Sequence, residues 1–545
     1  MKKLLTLCLS CIFIANGSFC QHSKLTVSDE FKISDKDYTD QTVAHSIHLN
    51  GNFYTCSNSG IGGNYKWAFT KLYDSKYIVT VAKFDKNGQK LKSIELDNGE
   101  RLYGPLAPRL VLLNDKLCLV YFKTTTTTSF DLYLAIVDGE SLVPGASKKL
   151  CTIQQENVGI FKLQGVLDKG FVHIAQSPDR SKSLVICQAG GNNLLSFVVD
   201  NDLNIVTQTS FRMNAEGFSI TTAALTNENL ECLIMDSEQE TKLLTITSDG
   251  KKIETKLNAS GELIPCNTNL TIARDGKSIY VYSAANPGLE DKDKHCNGLL
   301  LSQLDCATQK LSKPIAYTFT PELMETISKK GGGVKHKGEF QVYNFSPDLI
   351  ELDNGNLVIL GSPEQITSGT SQNASGTRDV ATTTLNVGPV LSVAVNKTSK
   401  KFECAIIPRK LSLTKASFSG SGFIRVVQAP GVRRTYGSFT ATRLGNEIAI
   451  IYNDSEKDLK RGEDEKVAET ENPKDLVLAE AFINKDNKLE YRKQIGENLK
   501  GSYTYFLGNS VPSTSTSLIF PVGKEGSAFN SRKTFYTNWC YVDVN

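Results

Sequence analysis

One pattern recurs along most of this chain: an alternating apolar strand, an Asp or Asn at its end, a polar turn, and a second strand. Seven copies are complete: YIVTVAKFDKNGQKLKSIEL (77–96), DLYLAIVDGESLVPGASKKL (131–150), LLSFVVDNDLNIVTQTSF (194–211), KLLTITSDGKKIETKLN (242–258), GLLLSQLDCATQKLSKPIAYTF (298–319), VLSVAVNKTSKKFECAII (390–407) and LVLAEAFINKDNKLEYRKQI (476–495). An eighth, FYTNWCYVDVN (535–545), stops just after its turn residue. The turn residues are Asp85, Asp138, Asp200, Asp249, Asp305, Asn396, Asn484 and Asp543. Asp and Asn side chains bond the backbone two residues on and tolerate the left-handed region, as a tight hairpin requires.

Two further strands precede most copies. Examples are PRLVLLNDKLCLVYF (108–122), FKLQGVLDKGFVHIAQ (161–176), FSITTAALTNENLECLIM (218–235), NLTIARDGKSIYVYS (269–283), LIELDNGNLVILG (349–361) and FTATRLGNEIAIIYND (439–454). The repeating unit is therefore four up-and-down strands, the unit of a β-propeller blade. The expected fold is an all-β propeller of seven or eight four-stranded blades, with eight favoured, in a single domain over 21–545. The strand ending at Asp543 has no follower, so closure by pairing of N- and C-terminal strands is expected. The region 30–60, near His45–Cys56, is the expected partner. A closed ring also removes sheet edges that would otherwise pair with other chains.

Three stretches interrupt the repeat and read as solvated loops. They are the Ser/Thr/Gly-rich run near 368–384, the mixed-charge run near 455–474, and the five-threonine tip Thr124–Thr128. Pro321 to Lys330 (PELMETISKK) reads as a helix stopped by Gly331-Gly332-Gly333.

Residues 1–20 read as an export signal: basic Lys2-Lys3, an apolar run from Leu4 to Ala15, then small residues. Cleavage after Cys20 leaves Gln21 first; cleavage after Gly17 is the near alternative. Lipid anchoring through Cys20 is disfavoured, because Phe19 precedes it and Gly17 lies three before it. No later run has the ~18 apolar residues of a membrane-spanning helix. The expected address is periplasmic or extracellular. The formal charge of +3 falls to +1 without Lys2 and Lys3, so no global field favours nucleic acid.

Thirteen cysteines less Cys8, Cys11 and Cys20 leave ten in the mature chain. Export permits disulfides, but the density is far from that of a disulfide scaffold. Cys118, Cys187 and Cys232 lie in apolar strands and read as buried thiols. Cys296 and Cys306 flank one strand whose extended length keeps them apart.

The chain carries no GxSxG elbow. Gly331-Gly332-Gly333 and Gly420-Ser421-Gly422 lack the Lys and the strand-to-helix context of a phosphate loop. His45 and His48 are three apart on a strand, hence on opposite faces. His173 reads as a strand residue with a satisfied ring. The acidic run Leu289–Cys296, with His295, lacks the spacing of a calcium loop. Lys400-Lys401 and Arg433-Arg434 read as surface doublets, and Trp67 and Trp539 as packing residues between blades. No catalytic, cofactor-binding or metal residue is assigned, and no cofactor is expected.

Asp275 to Val281, within ARDGKSIYV, is similar to the strand turn of YVTN-type secreted propellers. The wider layout resembles uncharacterised exported propeller-like proteins of Bacteroidetes: a leader ending near Gln21, LIELDNGNLVILG, and later FTATRLGNEIAIIYND. The resemblance implies a fold and a compartment and no reaction. The expected function is a monomeric binding or interaction module of the cell envelope, with a protein or glycan partner. The alternative is an exported glycan-active hydrolase or lyase whose carboxylates gather at a channel mouth.

Overall fold

Asp and Asn at the turn positions act through their side-chain oxygens. Oδ1 of Asp85 accepts the Gln89 amide, that of Asp138 the Ser141 amide, that of Asp200 the Asp202 and Asn204 amides, and that of Asp249 the Lys251 amide. Asp305 accepts from Thr308, Asn396 from Thr398 and Ser399, and Asn484 from Asp486 and Lys488. The left-handed residue is not the Asp or Asn itself. It follows later in each turn, at Gly88, Leu142, Leu203, Gly250, Gln309, Lys400 and Asn487. The acidic or amide side chain holds the loop while another residue reverses the chain.

The structure is a computed structural model. It describes residues 23–27, 40–60, 77–85, 88–96, 109–126, 129–154, 172–188, 193–212, 218–237, 240–257, 263–288, 295–336, 338–372, 379–418, 438–461, 467, 469–471, 475–495, 503–505, 511–512, 517–525 and 534–544. The leader with Cys20, together with Trp67, Gly420-Ser421-Gly422 and Arg433-Arg434, lies outside these.

The strands form a succession of antiparallel meanders, six of them of four strands in chain order and two, the fifth and eighth, of five strands. The first sheet is Asp40–Leu49, Asn52–Gly60, Tyr77–Phe84 and Lys90–Leu96. The second is Arg109–Leu113, Lys116–Thr126, Ser129–Ile136 and Lys148–Gln154. The third is Val172–Gln176, Ser183–Gln188, Asn193–Val199 and Ile205–Arg212, and the fourth Ser219–Leu225, Glu231–Asp236, Thr241–Ile246 and Lys252–Lys256. The fifth is Ile264–Ile272, Ser278–Asn286, Gly298–Asp305 and Lys310–Leu311, with Ile315–Thr318 continuing beside Gly298–Asp305. The sixth is Asp348–Glu351, Leu357–Gly361, Val390–Val395 and Phe402–Ile407, and the seventh Phe439–Leu444, Glu447–Ser455, Leu476–Ile483 and Leu489–Gln494. The eighth joins Tyr503–Tyr505, Val511–Pro512, Ser517–Glu525 and Thr534–Asp543 to Lys24–Val27 from the start of the chain.

That last pairing corrects one expectation. The strand ending at Asp543 is completed by Lys24–Val27, with Lys24 opposite Asp543 and Val27 opposite Cys540. The strands around His45–Cys56 belong to the first sheet instead. The segment that could close the last sheet had to be free of a hairpin of its own; Asn50-Gly51, both at positive φ, already commits 40–60 to one.

The core lies between sheets. Each cluster joins neighbours in chain order: Cys56 and Val81 with Leu119, Leu132 and Leu134 with Val185 and Phe197, Leu184 and Ile186 with Leu233 and Leu244. The series continues through Cys232 with Ile279, Tyr282 with Ile359, Leu360 with Ile450, and Leu478 with Val542. Asp40–Leu49 of the first sheet lies beside Thr534–Asp543 of the eighth. The first strands of successive sheets also run side by side, Val172–Gln176 next to Ser219–Leu225 and Ser219–Leu225 next to Ile264–Ile272. Neighbouring sheets from the first to the eighth thus bury apolar faces against each other, the arrangement of a propeller-like all-β fold. No helix among the described residues is long and apolar enough to cross a membrane.

The insertions are more ordered than composition suggested. Glu364–Gln372 and Asp379–Val387 pair with each other across the run near 368–384, and Asp379–Val387 pairs with Leu411–Phe418. A Ser/Thr-rich segment folds here because threonine is a good strand former and its partner strand supplies the buried Leu411 and Leu413. Across 455–474, Glu456–Leu459 is a short helix capped by Ser455, and Thr470 bridges to Leu411. Thr124–Thr126 extends a strand of the second sheet. The helix over 321–330 is present as Pro321–Ile327, with Thr320 as N-cap and a wider turn, Ser328–Gly332, after it.

Candidate binding face

Strand direction divides the molecule into two unlike ends. In a four-stranded meander the first and third turns lie at one end; the second turn and the link to the next sheet lie at the other. The first end carries short turns such as 50–51, 114–115 and 445–446, together with the Asp and Asn turns. The other end carries the long connections, and among the described residues the accessory sheets grow there. One three-stranded sheet, His295–Cys296, Glu339–Tyr343 and Gly333–His336, arises from connections within and after the fifth sheet. A second, Glu364–Gln372, Asp379–Val387 and Leu411–Phe418, arises from the corresponding connections of the sixth.

The second accessory sheet presents hydroxyls. Thr384 and Thr414 share a hydrogen bond of 2.8 Å, Ser368 and Thr383 one of 3.3 Å, and Ser412 donates to Asn386 at 2.9 Å. Thr367, Ser368 and Thr414 are exposed, and Ile366 and Val334 are large apolar side chains open to solvent on the two accessory sheets.

Beneath this end lies a group of charges shut away from water. Tyr452, Asn453 and Asp454 end the second strand of the seventh sheet, and all are fully buried. Arg409, in the Pro408-Arg409-Lys410 link, is also fully buried. Its Nε donates to the Gly388 carbonyl at 3.2 Å and its Nη2 to Ser362 Oγ at 2.7 Å, while the guanidinium lies 5.9 Å from the Tyr452 ring centre. Arg492 donates from Nη1 to the Pro408 carbonyl at 2.8 Å and from Nη2 to the Asp458 and Arg461 carbonyls at 3.1 and 3.2 Å. One guanidinium thereby ties the link to the accessory sheet and the capped helix to the seventh sheet.

Arg492 Nη1 lies 3.8 Å from Asp454 Oδ2, a loose ion pair. Burial dominates at Asp454 and pushes its carboxyl up to about 7; Asp458 adds to this, and Ser455, Arg492 and Arg409 oppose it. Burial lowers Arg409 to about 10. The two carboxyls here, Asp454 and Asp458, are 0% and 1% exposed, shut off from the surface. Another buried carboxyl, Glu231, accepts from Ser196 across the third and fourth sheets, and burial raises it to about 7.

The opposite end is held by half-exposed charges. Asp353 pairs with Arg274 at 2.7 Å and with Arg443 at 3.2 Å, linking the fifth, sixth and seventh sheets. Exposed pairs of this kind contribute little each. On the first strand of the sixth sheet, Asp348 meets solvent but has protein on most sides, and desolvation raises its carboxyl.

The residues singled out in sequence are scattered. His48 packs on Phe53 with ring centres 5.0 Å apart, and burial lowers its pKa. His45 pairs opposite Cys56, His173 opposite Ile186 and His295 opposite Tyr343, each in a different sheet. Lys400 and Lys401 are exposed in a turn, and Trp539 lies on the strand opposite Pro521. Among the described residues no three His, Cys, Asp or Glu side chains gather as a metal site. The glycine triplet is a packing device. A Cβ on Gly333 would fall 2.0 Å from the Gln341 carbonyl oxygen, and one on Gly388 would fall 2.2 Å from the Gly332 Cα. Arg409, Asp454, Asp458 and Arg492 went unsingled in sequence, where the only signal is one Arg between two apolar strands (IIPRKLSL).

No family model and no curated protein matches this chain. Among solved structures it is similar to a protein from Lactobacillus plantarum, with 9% identity over 77% of this chain and 91% of that one and a TM-score of 0.35. It is also similar to a protein of unknown function from Bacteroides caccae (11% identity, 70% and 95% coverage, TM-score 0.25). A third is virginiamycin B lyase from Staphylococcus aureus (9%, 71% and 89%, TM-score 0.30). Superpositions this loose carry no activity over to this chain.

Proposed function

We propose that this chain is an exported β-propeller of eight four-stranded blades, closed by Lys24–Val27, and that it serves as a binding module of the cell envelope. The carrying observation is the asymmetry of its two ends. Among the described residues the accessory sheets stand at one end, with exposed hydroxyls and the apolar Ile366 and Val334, over a buried ionic base. The other end is closed by short turns. Binding residues concentrate on loops and insertions held by a rigid scaffold. The export half of the reading rests on Lys2-Lys3 and the apolar run after them. A Ser/Thr-rich surface with isolated apolar side chains suits a glycan or a protein partner.

The test uses residues 21–545, immobilised, against native envelope extract and a glycan array. Triple substitution of Ile366, Thr367 and Thr414 by Glu is expected to abolish capture at least tenfold. Substitution of Arg274, Lys397 and Lys401 at the turn end by Ser is expected to leave it intact. The reverse pattern overturns the assignment of the face. Turnover of a glycan by the unmodified protein overturns the non-enzymatic reading.

A further inference from the structure

Cys151 lies on the fourth strand of the second sheet and Cys187 on the second strand of the third. Their sulfurs are 3.4 Å apart, in contact and unbonded. Both belong to the apolar cluster that fills the space between these sheets. We propose that Cys151 and Cys187 are a disulfide-forming pair that staples the second sheet to the third.

Three features support this. First, the sulfurs need only close from contact to the ~2.05 Å of a disulfide. Second, the strand carrying Cys151 is irregular beside it: Cys151 is opposite Leu132 but Lys149 is opposite Tyr133, so Leu150 is a bulged residue. A bulge leaves the local backbone less bound by ladder bonds and gives the side chain room to turn. Third, the two thiols differ in access. Cys187 is fully buried, whereas Cys151 is half-buried and reachable from solvent.

The chemistry is thiol–disulfide exchange with an external disulfide, either a low-molecular-weight one or that of an oxidising protein partner. Cys151 loses its proton to water, and its thiolate attacks the donor disulfide. A mixed disulfide forms and one donor thiol leaves. Cys187 then loses its proton and attacks the Cys151 sulfur, forming the Cys151–Cys187 bond and releasing the second donor thiol. Two cysteine thiols are oxidised and one donor disulfide is reduced to two thiols. The contact with Cys151, and burial, raise the Cys187 thiol well above the ordinary range.

The test needs neither export nor a binding partner, so its outcome is separate from the proposed function. Residues 21–545, purified reduced, are incubated with excess oxidised glutathione, alkylated in denaturant and digested with trypsin. The expected product is one cross-linked species, 150–162 joined to 183–212, which disappears on reduction. Its formation should protect both thiols from alkylation at least tenfold and raise the melting temperature by about 3 °C. Cys151→Ser and, as a second variant, Cys187→Ala should each lose the species and the redox-dependent shift. Independent alkylation of both residues after oxidation, or a stable glutathione adduct at Cys151 with Cys187 still free, overturns the proposal.

Discussion

Leu25 and Val542 face each other in antiparallel register, so the first described strand of the chain and the last are hydrogen-bonded neighbours. Leu25 and Val27 turn inward onto Leu518, Val542 and Val544, and Lys24 and Thr26 face solvent. The eighth sheet therefore joins two segments about 500 residues apart in sequence.

Leu25→Asp places a charge on that inward face. It is expected to destabilise the protein by about 1–3 kcal/mol, whereas Thr26→Asp, on the outer face, should stay within about 0.5 kcal/mol. Urea unfolding followed by tryptophan fluorescence checks the pair. Equal effects at the two positions would mean that the strand is held only by its backbone.

Asp454 and Glu231 set a pH dependence. Both carboxyls hold their proton to about pH 7 in the folded state, because burial disfavours the charge. Between the ordinary carboxylate range and about pH 7 the folded protein binds more protons than the unfolded chain. Stability is thus full below that window and falls as pH rises through it. Each group should cost about 1–3 kcal/mol between pH 4 and pH 8. Asp454→Asn and Glu231→Gln should each flatten the curve. Denaturation midpoints across that range read the slope, and a slope unchanged in both variants would refute the assignment.

Arg409 is held by Gly388 and Ser362 with no access to water. Arg409→Ala should cost about 3–5 kcal/mol by leaving buried polar partners unmatched. Arg409→Lys should cost nearly as much, because an ammonium lacks the planar fork that reaches both acceptors. Thermal denaturation measures both. A lysine variant as stable as the parent would show that the charge suffices.

Gly388 abuts Gly332 where the turn after the helix meets the sixth sheet. Gly388→Ala should destabilise by about 2 kcal/mol or more, because backbone must shift to admit the methyl. Gly250→Ala sits in open space but at φ 80°, so its cost is backbone strain of about 1 kcal/mol. Matched unfolding curves for the two separate close packing from strain.

Much of the sheet scaffold was legible because it is local. Asp138, Asn396 and their counterparts bond amides two to four residues away, and the strands they join pair across those same turns. The buried ionic base was illegible for the opposite reason. Arg409, Asp454 and Arg492 come from three separate stretches, and only the apolar strands on either side of Arg409 hint that one of them is buried. The Ser/Thr-rich run near 368–384 read as loop because its hydroxyls hide strand pattern; its pairing with Leu411–Phe418 makes it a sheet.

By itself the sequence determined the repeating strand-and-turn unit, its turns and the helix before the glycine triplet. Those features rest on short-range hydrogen bonds and side-chain alternation. Only the tertiary structure decided that Lys24–Val27 pairs with the strand ending at Asp543, that accessory sheets gather at one end, and that Cys151 meets Cys187. Each of these joins segments distant along the chain, and such contacts are set by which surfaces remain to be buried once every local hairpin has formed.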